Sequence, residues 1–206
     1  GGSSSGSAAA VADRMVPLAL GTQTGGSVIR PAAYCGAFAL KPSFGSINRQ
    51  GTKFVAESLD TIGAFGRTAE DLALALEILS GRPTPDFASF SGKPRVGLCR
   101  TPRWQDADAL SQANLEEAAR RLAKAGAALS DFELPAGGEA LFDRHSLIMG
   151  FESARALAWE YLNFPEQIST SLKPRLDEGW QVTRADYDAM RETARQCRRA
   201  LAEKMR

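Results

Sequence analysis

Gly21-Thr22-Gln23-Thr24-Gly25-Gly26-Ser27 decides how this chain is read. The run Thr24-Gly25-Gly26-Ser27 lets the backbone turn tightly and aim several N–H groups at one point. Donors converging beside a serine hydroxyl can stabilise the oxyanion of an acyl-transfer reaction, with that serine as nucleophile. A second cluster, Gly1-Gly2-Ser3-Ser4-Ser5-Gly6-Ser7, lies shortly upstream. Taken alone, it also reads as a flexible linker, a phosphate-cradling loop or a plain turn. The Ala8-Ala9-Ala10-Val11-Ala12 continuation is small and helix-favouring, suited to a helix packed behind the serine loop, and reads as leading directly into a strand, which argues against a linker. The phosphate loop lacks its Gly-Lys-Ser/Thr ending, and no GxGxxG is present.

Ser27 needs a base. The one histidine, His145, falls in a stretch that reads as helix, where packing or solvation is the ordinary role. That disfavours a Ser–His–Asp triad and leaves a desolvated lysine as the other solution.

Outward from the two clusters, Val16 to Leu20 and Ala37 to Leu40 read as buried strands. Thr68 is a good N-cap, with Asp71 three residues on and Leu72, Leu76 and Leu79 following. A helix over 69–79 is predicted, stopped by Gly81 and Pro83, with Arg67 and Asp71 pairing across its first turn. Residues 82–94 read as a surface connection. Arg95–Cys99, Asp108–Ala125 and Ala127–Leu134 form a β–α–β pattern that implies parallel pairing. Its helix carries Leu110, Leu115, Ala118 and Leu122 on one stripe. Glu139–Tyr161 and Arg184–Arg206 read as long helices. The class is α/β, a sheet covered by helices.

Composition excludes more than it assigns. A chain of 206 residues can bury a sizeable core. Its 44% apolar content and 24% charge suit an ordinary globular protein. A net charge of +1 makes no electrostatic case for nucleic acid or an anionic membrane. Cys35, Cys99 and Cys197 are odd in number and form no CxxC pair. Reduced thiols and a cytoplasmic location are the expectation, with no metal site. No apolar run approaches the roughly 20 residues of a membrane span.

The two clusters, continued by Val28-Ile29-Arg30-Pro31-Ala32-Ala33-Tyr34-Cys35-Gly36, Leu40-Lys41-Pro42-Ser43-Phe44-Gly45 and Ser58-Leu59-Asp60-Thr61 with Gly63, Arg67 and Asp71, resemble the amidase signature family. The likeness is dense over about residues 1–80. It implies a mixed β-sheet core with helices on both faces, incomplete at both ends of this chain. The whole of 1–206 is then part of one amidase signature domain, with 1–80 the signature core and 81–206 a peripheral β–α–β and helical region. It further implies a Ser–cis-Ser–Lys triad. Ser27 matches the nucleophile, and Ser3 matches the bridging serine whose preceding peptide bond is cis. The N–H groups of Thr24, Gly25, Gly26 and Ser27 match the oxyanion hole.

The implied activity is hydrolysis of a small-molecule amide through an acyl-enzyme, without metal or organic cofactor. The resemblance places the catalytic lysine upstream of the bridging serine, outside this chain. Lys41 and Lys53 are not substitutes, so the 206 residues alone are expected to be inactive. An amidotransferase-type subunit releasing ammonia for a partner and a non-catalytic fragment are the other readings. A homo-oligomer stays open.

Gln23 stands where many members have Asp, and Ile29 takes the place of an arginine, with Arg30 beside Pro31. With these departures the pattern resembles a bacterial amidase subgroup and not the tRNA-dependent amidotransferase subunit. Asp60 reads as structural, fixing the loop after Ser58. Glu152, Trp159 and Tyr161 share one helical stretch and read mainly as core packing, with a pocket role as the alternative. Cys35 reads as a buried, inert thiol.

Overall fold

The computed structural model describes residues 2–84, 89 and 91–206. Gly1 and part of the expected connection at 82–94 therefore lie outside the described residues. The elements are α1 (Ser5–Ala12), β1 (Ala19–Gln23), α2 (Ile29–Cys35), β2 (Phe38–Leu40), β3 (Thr61–Gly66), α3 (Ala69–Ser80), β4 (Arg95–Leu98), α4 (Ala109–Lys124), β5 (Ala128–Asp131), α5 (Gly138–Ala156), α6 (Ala158–Asn163), α7 (Lys173–Gln181) and α8 (Arg184–Lys204). They divide into two compact units: Gly1–Pro85 with Ser146–Tyr187, and Asp86–His145 with Asp188–Arg206.

The first unit is built on an antiparallel sheet of order β1-β3-β2. Ala19 faces Phe65 and Leu20 faces Ala64 across one ladder; Ala39 faces Phe65 and Leu40 faces Ala64 across the other. Neighbouring side chains on a strand point to opposite faces, so Ala64 and Phe65 divide the core. On one face Phe65 packs with Ala8 and Val11 of α1 and with Val28 and Ala32 at α2. On the other, Ala64 meets Leu72 and Ala75 of α3, with Leu18 and Leu40 alongside. Helices thus cover both faces of this sheet. Burying a side chain the size of Phe65, which is fully enclosed, contributes about 2–3 kcal/mol.

Helix α3 forms for the expected reason. The Thr68 hydroxyl accepts from the Asp71 N–H, and the Asp71 carboxylate accepts from the Thr68 N–H. This capping box satisfies donors that the first helical turn leaves open. Gly81, at φ 66°, closes the other end. The expected Arg67–Asp71 pairing is made by the Arg67 backbone N–H, 3.0 Å from the carboxylate.

Several expectations shift. The first strand begins at Ala19, beyond Pro17, because proline has no N–H to offer a ladder. The Ala8–Ala12 segment is helical, as expected, but does not run directly into a strand: Asp13 caps α1, and Arg14 reverses the chain at φ 61°. The 139–161 stretch breaks at Leu157 into α5 and α6. Trp159 is 64% exposed and so is not core. Cys35 is half-buried against the Phe65 cluster. Where α5 and α7 approach, Gly150 and Gly179 meet backbone to backbone, and a Cβ on Gly179 would strike the Gly150 carbonyl.

In the second unit β4 and β5 pair in parallel, Arg95 with Ala128 through Leu98 with Asp131. Helix α4 connects them, as the β–α–β pattern predicts. The Asp108 carboxylate caps α4 by accepting from the Ser111 N–H at 2.7 Å. The expected apolar stripe is not the buried one. Leu110 and Leu122 are exposed, and Ala119 is enclosed.

Candidate active site

Residues 24–28 form the turn that carries the chain from β1 into α2, and Ser27 sits there half-buried. The N-terminal cluster docks onto this turn. The Ser4 N–H donates to the Ser27 carbonyl at 3.2 Å. The Ser4 hydroxyl donates to the Thr22 carbonyl and accepts from the Thr22 N–H, at 3.3 and 3.2 Å. Ser7 adds a bond to the Leu20 carbonyl at 2.7 Å. Gly21 permits this docking, since a Cβ there would lie 2.6 Å from the Ser4 Oγ. The Gly2–Ser3 peptide bond is cis, and Ser3 is exposed at the start of α1.

The two departures from the family pattern each acquire a partner. The Gln23 side-chain carbonyl accepts from the N–H groups of Val28 and Ile29, at 2.9 and 3.0 Å. Arg30 turns back and donates from Nε and Nη2 to the Gly2 carbonyl, at 3.1 and 3.0 Å. Gln23 thereby caps α2, and Arg30 ties that helix to the segment carrying Ser3. Among the described residues, no protein acceptor takes the N–H groups of Gly25, Gly26 or Ser27.

Asp60 secures the turn from below. Its buried carboxylate accepts from the Thr24 hydroxyl at 2.5 Å and from the N–H groups of Val55 and Ala56 at 2.7 and 3.0 Å. Arg49 donates to the Asp60 carbonyl at 3.0 Å. Asp60 is structural, as expected, but the loop it pins precedes Ser58. Ser58 in turn donates its N–H and hydroxyl to the Glu152 carboxylate, at 2.8 and 2.6 Å. Tyr187 donates to the same carboxylate at 2.7 Å. Sequence reasoning missed Ser4 and the Ser58–Glu152 link, because their partners come from distant parts of the chain.

The two lysines near the clusters are engaged. Lys41 donates to the Pro42 carbonyl at 2.6 Å, and Lys53 pairs with Glu160. The Lys53 ammonium, first, and the Glu160 N–H, second, hold the Glu160 carboxyl below its ordinary range. His145 is exposed, its Nδ1 3.1 Å from the Phe142 carbonyl. Tyr161 donates to Asp177 at 2.5 Å, which raises the Tyr161 phenol and lowers the Asp177 carboxyl. No group of three or more His, Cys, Asp or Glu among the described residues could hold a metal ion. No described helix is long and apolar enough to cross a membrane.

The Amidase family model matches residues 1–206. Among curated proteins, a glutamyl-tRNA(Gln) amidotransferase subunit from Persephonella marina is 41% identical over 149 residues, covering 66% of this chain and 31% of that protein. The protein of the same name from Treponema pallidum (strain Nichols) is 52% identical over 97 residues, covering 47% of this chain and 19% of its own length. Among solved structures, the crystal structure of an amidase superposes with a TM-score of 0.90 at 27% identity, over 98% of this chain and 46% of that one. The 6-aminohexanoate cyclic dimer hydrolase, in complex with substrate, gives a TM-score of 0.77 at 26% identity, over 96% and 46%. The chain thus spans under a third of these curated relatives and under half of these solved structures.

Proposed function

Since the chain belongs to the Amidase family, we propose that it carries the nucleophile, the bridging serine and the oxyanion donors of an enzyme that hydrolyses the C–N bond of a small carboxamide. The observation behind this reading is the turn after β1. Among the described residues, none accepts from the N–H groups of Gly25, Gly26 or Ser27, which lie beside the Ser27 hydroxyl. Ser27 Oγ attacks the amide carbonyl carbon while its proton passes to Ser3. The N–H groups of Thr24 to Ser27 receive the developing oxyanion, a kind of contact whose loss costs about a hundredfold or more in rate. The relayed proton goes to the leaving nitrogen, the C–N bond breaks, and water then cleaves the ester on Ser27. The resemblance to the family assigns the base that deprotonates Ser3 to a lysine upstream of it; Lys41 and Lys53 are engaged elsewhere. The chemistry calls for no metal or organic cofactor.

The test is covalent. In the complete natural protein a fluorophosphonate is expected to label Ser27 alone, as read by peptide mass mapping. Ser27→Ala is expected to lose both labelling and carboxamide turnover. Normal turnover in that variant refutes the assignment.

The names of the curated relatives favour a second reading, in which the protein releases ammonia for a partner's amidotransfer. A partner protein that co-purifies with the complete chain and is required for its turnover decides for it. Turnover of a free carboxamide by the isolated chain decides against it.

A further inference from the structure

The glycine turn after β1 is not fixed by packing. A Cβ added at Gly25 would meet nothing within 4 Å, and at Gly26 the nearest atoms belong to the Arg30 guanidinium, 3.7 Å away. Glycine leaves the backbone many conformations, so these two residues do not themselves set where their N–H groups point. Beyond them the turn is tied through its backbone. The Gly26 carbonyl accepts from the Arg30 N–H at 2.9 Å, and the Ser27 carbonyl accepts from the Ser4 N–H at 3.2 Å. Before them the tie is a side chain. Residues 24–27 carry two side chains, those of Thr24 and Ser27, and a nucleophile has to stay free. That leaves Thr24, whose hydroxyl donates to Oδ1 of the buried Asp60 at 2.5 Å. Asp60 is itself held. Its Oδ2 accepts from the N–H groups of Val55 and Ala56, at 2.7 and 3.0 Å. Its carbonyl accepts from Arg49, whose guanidinium lies over both the Phe44 and Phe54 rings, 4.5 Å from each centroid.

We infer that Asp60 is a positioning residue for acyl transfer: by gripping the Thr24 hydroxyl, it aims the N–H groups of the glycine turn at the oxyanion. This rests on the reading of Ser27 as the nucleophile. Threonine is stiff at χ1, so a hydrogen bond at its Oγ1 restrains the backbone of residue 24 and the peptide planes that follow. The restraint matters when charge develops on the carbonyl oxygen, because donors already in place stabilise the transition state without reorganising. It matters little for the first contact with a ligand. The Asp60–Thr24 pair therefore acts on the rate of the chemical step and not on the affinity that precedes it.

The test is the kinetics of fluorophosphonate labelling at Ser27 in the complete natural protein, split into the maximal rate kinact and the half-saturation constant KI. Thr24→Val keeps the shape and removes the hydroxyl. It is expected to lower kinact at least about tenfold while KI changes less than about threefold. Thr24→Ser keeps the hydroxyl and is expected to label within about threefold of wild type. Asp60→Asn cannot accept at both of its former oxygens and is expected to lower kinact as well. Combined with Thr24→Val, it is expected to add less than about twofold to the larger single loss, as residues acting as one unit do. Asp71→Asn, which weakens the α3 cap away from the turn, is expected to leave kinact unchanged, so lost stability alone does not imitate the effect. Labelling of Thr24→Val at the wild-type rate overturns this inference alone. So does a loss that Thr24→Ser shares, that Asp71→Asn matches, that resides in KI, or that multiplies in the double variant. The Thr24 pair decides the matter even where Asp60→Asn does not fold. Absence of label on Ser27 in the wild-type protein overturns the reading of Ser27 and this inference with it.

Discussion

Glu152→Ala tests the polar linkage that stands behind the candidate site. The Glu152 side chain is enclosed, with the residue 8% exposed, and its carboxylate accepts from the Ser58 N–H, the Ser58 hydroxyl and the Tyr187 hydroxyl. Phe151 stacks on the Tyr187 ring at 4.2 Å between centroids, so the phenol cannot readily swing away. Truncation leaves three donors facing a void. Each orphaned donor costs about 1–3 kcal/mol, and water entering beside the half-buried Ser58 and Tyr187 offsets part of it. A net loss of about 2–4 kcal/mol is expected. Glu152→Gln keeps the shape and one acceptor, and is expected to lose about half as much.

The assay is urea unfolding followed by the fluorescence of Trp159 and Trp180, in a Trp104→Phe background. The midpoint is expected to fall while the slope stays constant. A double-mutant cycle of Ser58→Ala with Glu152→Gln is expected to show coupling of about 1 kcal/mol or more. A Glu152→Ala loss under about 0.5 kcal/mol, the range of an ordinary surface change, or strict additivity in the cycle, would refute the reasoning.

Other outcomes follow from the same contacts. Phe65→Ala empties the cluster between the sheet and α1–α2 and is expected to cost about 3–5 kcal/mol in the same urea experiment. Gly179→Ala forces α7 away from Gly150 and is expected to cost about 1–3 kcal/mol, with no matching effect for the unconfined Gly6→Ala. The Asp71 carboxyl is held below its ordinary range, first by the Arg67 N–H and also by the Thr68 N–H and hydroxyl. The unfolded chain therefore binds the proton more readily, so the stabilisation is present above about pH 4 and is lost as pH falls through the folded value. The stability difference between wild type and Asp71→Asn, measured by urea unfolding from pH 6 to about pH 3, is expected to shrink on acidification; a constant difference counts against the cap. Gln23→Ala uncovers the N–H groups of Val28 and Ile29 and is expected to speed hydrogen exchange there, while exchange in α3 is unchanged.

What could be read from the chain depended on how local each signal was. Helix α3 was legible because its cap, apolar spacing and terminal glycine all lie within fourteen residues. The parallel β4–β5 pair was legible because a helix of the right length separates two short apolar runs. The central strand β3 was not. Thr61-Ile62-Gly63-Ala64-Phe65-Gly66 is largely buried on both faces, so it shows no alternation, and its two glycines imitate turns. Helix α2 was hidden because Pro31 sits inside it and its start depends on Gln23, a residue of the preceding strand. At the candidate site, the Gly-rich turn singled out Ser27, and the resemblance to the family singled out Ser3. The groups that brace them, Ser4 on Thr22, Asp60 on Thr24 and Glu152 on Ser58, meet only after 18, 36 and 94 residues of intervening chain are folded. No local pattern encodes such pairings.

The strand order β1-β3-β2 has a consequence for the chain as it is made. Synthesis delivers the two outer strands first, and neither pairs with the other; both wait for residues 61–66. Until the ribosome has released β3, the Gly-rich turn has no template beneath it, and Asp60, the residue just before that strand, has not yet arrived to hold Thr24. The nascent segment therefore emerges with unpaired strand edges and apolar Val11, Val28 and Ala32 uncovered, the condition that invites chaperone capture. Arrival of six residues lets both ladders form and closes the core against α1 and α2, while the core on the other face waits for Leu72 and Ala75 of α3.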